Sequence, residues 1–345
     1  MEPRFYFSVC QAGAEKAVKD EVLALNPGLR FAFSRPGFIT FKEPEPQGAE
    51  ITHPGSLFTR LWGVSLGQAG DPEGIRDLLS RIPEGALIQA FDRETCLPGD
   101  EPEGSVKGGN VRRLLDGSPL ASQVNLRVPK PGEWVYDLIW IEEGRLFLGC
   151  HRFEEGMDPA PGNDPLIVLP KDSPSRALLK IEEAIHRFAP VMRPGLSVLE
   201  VGCSPGGATS AMLGRGFKVV GIDPKRMAPV VESHPDFRLI QKPAGKVQEQ
   251  ELRGINPEWM VLDINLAPLE ALDELNHVIR TLRAQQGARL RLTKGFLTVK
   301  LNDWGFVSSI PLYLKRISEL GFEDLTAVQL CSNRQEFFVY ARSFR

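Results

Sequence analysis

The sequence predicts an α/β protein whose C-terminal half folds as a doubly wound sheet, and three observations carry the prediction. From residue 196 onward, strand-length apolar runs alternate with helix-length segments, the pattern of parallel strands joined by crossover helices. A glycine-rich turn, Gly202-Cys203-Ser204-Pro205-Gly206-Gly207, separates the apolar run 196–201 from a second run, 217–222, that ends on Asp223. The chain finishes on two strand candidates, 324–330 and 336–342, which close the sheet as an antiparallel pair.

The N-terminal half reads as shorter elements. Residues 4–10 (RFYFSVC) are dense in β-prone side chains, and in 14–25 Ala14, Val18, Val22 and Leu25 recur at helical spacing. Strand candidates 29–33 and 37–41 flank the turn Ser34-Arg35-Pro36, giving a small α+β unit over 1–55. From 56 to 152 the spacing predicts helices at 56–61, 74–82 and 111–115 and strands at 64–68, 86–91, 123–128, 133–141 and 146–151. Glu142-Glu143-Gly144 joins the last two as a hairpin. Residues 153–170 (FEEGMDPAPGNDPLIVLP) have no period and many Pro, Gly and Asp, so they read as a linker.

Residues 171–345 form the second half. Asp172 or Ser173 is placed to cap a helix with Pro174 in its first turn, where proline is tolerated. Ala177, Leu178, Ile181, Ala184, Ile185 and Phe188 make its apolar face, while Arg176, Lys180, Glu183 and Arg187 fall on another, so Lys180 taken alone reads as a solvated helix lysine. Strands follow at 196–201, 217–222, 237–240, 259–263 and 296–300, with helices at 269–286 and 308–320. Such sheets bind ligands beyond the carboxyl ends of their strands, and Gly202, Asp223, Asp263 and Lys300 all lie at that edge.

The glycine turn defines a ligand class. Glycines let backbone approach a nucleotide-like molecule, and a carboxylate at the tip of the second strand takes both hydroxyls of a ribose. The spacing is neither the dinucleotide G-x-G-x-x-G nor the phosphate loop G-x-x-x-x-G-K-[ST], so a nucleoside without phosphates fits better. S-adenosylmethionine is the common cofactor of that kind; a merely structural turn of a βαβ unit is the alternative.

Composition narrows the class further. At 345 residues, 42% apolar and 25% charged, the chain has room for two or three globular domains. The five cysteines are odd in number and scattered, and the histidines are dispersed, so neither a disulfide framework nor a metal centre is expected. The N-terminal residues lack the basic-apolar-small pattern of a signal peptide and no apolar run reaches membrane-spanning length, so the expected compartment is the cytoplasm. The net charge of −3 does not advertise a nucleic-acid binder, yet from Arg280 to the C-terminus 11 Lys or Arg face 5 Asp or Glu.

Five segments taken in order resemble one family. PSRALLKIEEA with Lys180, EVGCSPGG, WMVLD with Asp263, LTVKLN with Lys300 and NRQEFFVYAR with Glu336 resemble the Lys-Asp-Lys-Glu motifs of the FtsJ-like ribose 2′-O-methyltransferases. Within that group the chain is most similar to the bacterial 23S rRNA cytidine 2′-O-ribose methyltransferases that carry an N-terminal THUMP domain. The likeness extends loosely to the amino end, through CQAGAEKAVKDEV and SLFTRLWGV. It implies a Rossmann-like class I methyltransferase domain with a seven-stranded sheet over 171–345, a ferredoxin-like domain over 1–55 and a THUMP-like RNA-binding domain over 56–152.

The resemblance also implies the chemistry. Lys300 would accept the proton of a ribose 2′-hydroxyl, with Lys180, Asp263 and Glu336 completing the tetrad. Gly202, Ser204, Pro205, Gly206, Gly207, Asp223 and Asp263 would contact S-adenosylmethionine. The implied partner is 23S rRNA, before or during subunit assembly, with no metal and no membrane; another RNA, or an inert methyltransferase-like domain, are the alternatives. A sugar hydroxyl is a weak acid, so its base must sit close, and a lysine serves if burial and a second lysine lower its pKa. Two departures stand out: Ala208 follows the glycines where the family carries tryptophan, and no acid lies near Lys242-Pro243-Ala244. Glu200 stands in place of an aspartate, which keeps the charge.

Overall fold

Strand β1 (Arg4–Cys10) forms because its β-prone residues find partners on both sides, β3 (Phe38–Glu43) and β4 (Thr59–Ala69). The computed structural model describes residues 2–46 and 48–345 and divides into two units, Met1–Leu166 and Ile167–Arg345.

The first unit adds α1 (Glu15–Leu25), β2 (Arg30–Arg35), α2 (Pro72–Ser80), β5 (Leu87–Asp92), α3 (Gly109–Leu115), β6 (Trp134–Glu142) and β7 (Arg145–Arg152). Its sheet runs β2-β3-β1-β4-β7-β6-β5, antiparallel except for the β5–β6 pair. Phe7, Phe38 and Phe147 interlock in its core at ring separations of 4.8 to 6.3 Å. One continuous sheet thus runs through the segments expected as 1–55 and 56–152, with β4 carrying it across.

Two expectations in this unit are corrected. Residues 56–61 and 64–68 were expected as helix then strand, but Thr59–Ala69 is one strand, because pairing with β1 and β7 overrides local helical spacing. Residues 123–128 hold no strand, only a bridge from Val124 to Ile88. The cause is Asn125: it sits at φ +54° and its side-chain amide bonds both the N–H and the C=O of Ala90, at 2.9 Å each, in place of a ladder. The first part of the expected linker also packs, with Phe153, Asp158 and Asn163 buried.

The second unit contains α4 (Ala177–Phe188), β8 (Ser197–Val201), α5 (Gly207–Leu213), β9 (Lys218–Ile222), α6 (Pro229–Glu232), β10 (Phe237–Ile240), α7 (Glu249–Leu252), β11 (Trp259–Leu262), α8 (Pro268–Gln286), β12 (Lys294–Lys300), α9 (Ile310–Glu319), β13 (Phe322–Val328) and β14 (Glu336–Phe344). Its sheet runs β10-β9-β8-β11-β12-β14-β13, with five parallel strands and β14 antiparallel to both neighbours. Side chains alternate across it: Val198, Trp259, Val261, Phe296, Phe338 and Tyr340 share a core with Leu178, Ile181 and Ala184 of α4. Burial of each such large side chain contributes about 1.5–3 kcal/mol.

Helix α4 starts later than its cap residues imply. Neither Asp172 nor Ser173 caps it; Ser173 donates to the Ser175 carbonyl, and the Ser175 hydroxyl accepts the Ala177 N–H at 3.4 Å. Pro174 therefore precedes the helix rather than opening it. The shift leaves Lys180 in its first turn, level with the strand ends.

Candidate active site

Four charged side chains from four elements meet at the carboxyl edge of the second sheet. Asp263 follows β11, Lys300 ends β12, Glu336 opens β14, and Lys180 comes from α4. Lys180 Nζ lies 3.0 and 3.2 Å from the two Asp263 oxygens and 2.7 Å from Glu336 Oε1. Lys300 Nζ lies 3.2 Å from Asp263 Oδ1 and 2.9 Å from Glu336 Oε2. The result is a closed ring of alternating charge with no net charge. Lys180 is no solvated helix lysine, since its side chain is 11% exposed and both of its partners are buried in the ring.

The ring sets its own protonation. Burial alone would lower the Lys300 pKa, but the charges of Asp263 and Glu336 outweigh it and raise the pKa well above the usual lysine range. Burial would likewise raise the Glu336 carboxyl, yet the Lys180 and Lys300 ammonium groups hold it at about 2. The lowered lysine pKa that the sequence argument called for is thus absent from this structure, because two carboxylates outweigh desolvation.

Beside the ring lies the glycine turn. Gly202 has φ +87°, and a Cβ there would stand 2.5 Å from the Asp263 carbonyl oxygen, so the loop and the strand end approach as only glycine allows. A Cβ on Gly207 would collide with Ser175, just ahead of α4. Gly206 is also left-handed, at φ +115°, and Pro205 sits between it and Ser204. The Ser204 N–H donates to Asp223 Oδ2 at 3.0 Å and the Lys225 N–H to Oδ1 at 2.8 Å, which fixes the carboxylate at the tip of β9. A glycine turn packed against Asp263 and Ser175 more closely than any side chain allows, beside an oriented and half-buried acid, is compatible with a ribose-bearing cofactor without phosphates.

Glu200, on β8 beneath this turn, corrects another expectation. It is 1% exposed and accepts the Thr209 hydroxyl at 2.6 Å. Burial pushes its carboxyl up to about 8, with the Asp263 and Asp223 charges adding to the effect. At neutral pH it is mostly protonated, so it keeps the shape of an acid and not the charge.

The ring opens onto a pocket of about 490 Å³ whose wall includes Arg176, Asn302, Ser332 and Arg334. None of these was singled out from the sequence as a site residue, although Arg176 and Arg334 stand inside the quoted segments PSRALLK and NRQEFF. Two supports were missed as well. Asn333 Nδ2 donates to Glu336 Oε1 at 3.0 Å, and Glu183, placed above off the apolar face of its helix, is 3% exposed. Among the described residues no group of three His, Cys, Asp or Glu is arranged to hold a metal, and no helix is long and apolar enough to cross a membrane.

The chain is similar to several known proteins. Residues 174–327 match the family described as FtsJ-like methyltransferase. A protein of Cellvibrio japonicus named ribosomal RNA large subunit methyltransferase M is 27% identical over 237 residues, 63% of this chain and 66% of that protein. A protein of the same name from Azoarcus sp. is 25% identical over 361 residues, 96% of this chain and 94% of its own length. The solved structure of TrmN from Thermus thermophilus aligns over 98% of this chain and 99% of its own, at 18% identity and a TM-score of 0.36. Residues 174–327 of this chain are therefore an FtsJ-like methyltransferase domain, of a kind that depends on S-adenosylmethionine.

Proposed function

We propose that the chain methylates a ribose 2′-hydroxyl of large-subunit rRNA, on a cytidine of 23S rRNA, in the cytoplasm and before or during subunit assembly. The observation that carries this reading is the closed Lys180-Asp263-Lys300-Glu336 ring opening onto a nucleotide-sized pocket. The name shared by the relatives supports rRNA of the large subunit as the acceptor.

S-adenosylmethionine, when bound, supplies an electrophilic methyl group on a sulfonium. Gly202, Ser204, Pro205, Gly206 and Gly207 would contact it along the turn, and Asp223, oriented by the Ser204 N–H, would take its ribose. Asp263 closes the cofactor side of the ring. Lys300 hydrogen-bonds the 2′-oxygen and takes its proton as negative charge develops there. It must first release its own proton to solvent, against the hold of Asp263 and Glu336, so the two carboxylates orient the base and also restrain it. Lys180 neutralises both carboxylates from the other side. Arg176 and Arg334 on the pocket wall offer guanidinium groups to the phosphates flanking the target ribose. The first unit, with ferredoxin-like and THUMP-like parts over 1–55 and 56–152, positions the RNA.

The test is methyl transfer from labelled S-adenosylmethionine to protein-free rRNA and to assembled subunits, followed by nuclease mapping. Label on a ribose of large-subunit rRNA is expected. Label confined to another RNA, or none at all with cofactor still bound, overturns the reading.

A further inference from the structure

Helix α4 turns one carboxylate inward besides presenting Lys180. Glu183, one turn further on, is 3% exposed. Its Oε1 accepts the Cys331 N–H at 2.6 Å, and its Oε2 accepts the Ser332 N–H at 2.9 Å and the Ser332 hydroxyl at 2.6 Å. No ligand is needed to explain those bonds, but their place is informative. They grip the turn between β13 and β14 immediately before Asn333, whose side chain accepts the Leu330 N–H at 2.9 Å and donates to Glu336 Oε1 at 3.0 Å. The same turn supplies Ser332, Arg334 and Gln335 to the pocket wall.

We infer that Glu183 is a positioning residue for methyl transfer: by clamping the 331–332 backbone to α4, it fixes Asn333 and so holds the Glu336 carboxylate across both lysines. This rests on the transfer reaction proposed above. Helix and turn are far apart in sequence, and a buried carboxylate accepting three hydrogen bonds is a strong way to couple them. Because Lys180 and Glu183 share α4, one rigid element sets both ends of the Lys180–Glu336 bond.

Glu183→Gln keeps the shape but turns an amide donor toward a backbone N–H, which loosens the turn. In single-turnover assays on large-subunit rRNA at saturating cofactor, the rate is expected to fall about 10- to 100-fold with cofactor affinity changed less than about threefold. Lys300 faces Asp263 and Glu336 and shares both with Lys180, so a displaced Glu336 holds the Lys300 proton less firmly. The pH–rate profile should therefore move to lower pH by about half a unit or more. Glu183→Asp, which keeps the charge, should shift it less in the same direction, and it decides the matter where the glutamine variant does not fold. A lowered rate with an unmoved profile, or wild-type behaviour in a folded variant, overturns the inference. Failure of the wild-type chain to methylate any large-subunit rRNA overturns instead the reaction on which it rests.

Discussion

Lys300 and Glu336 are register partners across the antiparallel β12–β14 pair, and their side chains meet at 2.9 Å. Cross-strand partners on one sheet face are brought together by the backbone itself. Lys300 is thus placed by the same pairing that ends the parallel part of the sheet, and it needs no loop to deliver it. Lys300→Ala should leave the backbone and the glycine cradle intact while removing the only group of the ring proposed to take the 2′-proton. Transfer is expected to fall by about a thousandfold or more, with S-adenosylmethionine binding within about threefold of wild type by calorimetry. Retained transfer would assign the proton to another group.

The same ion pairs predict how the rate depends on pH. Asp263 and Glu336 raise the Lys300 pKa, so at neutral pH only a small fraction of the enzyme has the lysine free to accept a proton. The single-turnover rate should therefore climb close to tenfold per pH unit from about pH 6 toward about pH 9. Glu336→Gln removes one anion, and its profile should plateau at lower pH than wild type. A flat profile over that range would mean that Lys300 acts as a fixed ammonium donor to the 2′-oxygen.

Gly202 joins the glycine turn to the ring. Its φ of +87° disfavours any side chain, and a Cβ would press 2.5 Å from the Asp263 carbonyl, a backbone atom that moves only with Asp263 itself. Gly202→Ala should cost about 1–3 kcal/mol in strain, lowering the melting temperature by roughly 2–4 °C for each kcal/mol. It should also weaken S-adenosylmethionine about tenfold or more, because loop and Asp263 shift together. Unchanged binding in a folded variant would separate Asp263 from the cofactor.

The parallel half of the fold was legible because its signals are local: apolar runs of strand length, a glycine turn, and charges standing where runs end. Asp263 and Lys300 were found as residues that leave strands at one edge, and that placement needs only topology. What escaped depends on partners distant in sequence. Residues 59–61 became part of a strand because β1 pairs with them, and residues 123–128 gave up a strand because Asn125 bonds Ala90. Glu183 sits at a spacing off the apolar face of its helix, and only the turn at Cys331–Ser332, 148 and 149 positions away, shows that it is buried. The protonation of Lys300 was misjudged for a related reason: the sequence placed the acids near it without weighing their charges against burial.

Glu200 tests that balance in the opposite direction. Its carboxyl is raised from an ordinary 4.5 to about 8 by burial, so the protonated form favours the fold. A group with a raised folded pKa contributes its full stability below the unfolded value and loses it as pH climbs through the folded one. Glu200 should therefore weaken the domain progressively between about pH 4.5 and about pH 8, and most above that. Glu200→Gln mimics the protonated acid and can still accept the Thr209 hydroxyl. Its melting temperature should match wild type near pH 5 and exceed it by several degrees near about pH 9, at roughly 2–4 °C per kcal/mol. An equal difference at both pH values would mean that Glu200 ionises normally inside the fold, and that the Thr209 hydroxyl, with its 2.6 Å hydrogen bond, outweighs desolvation.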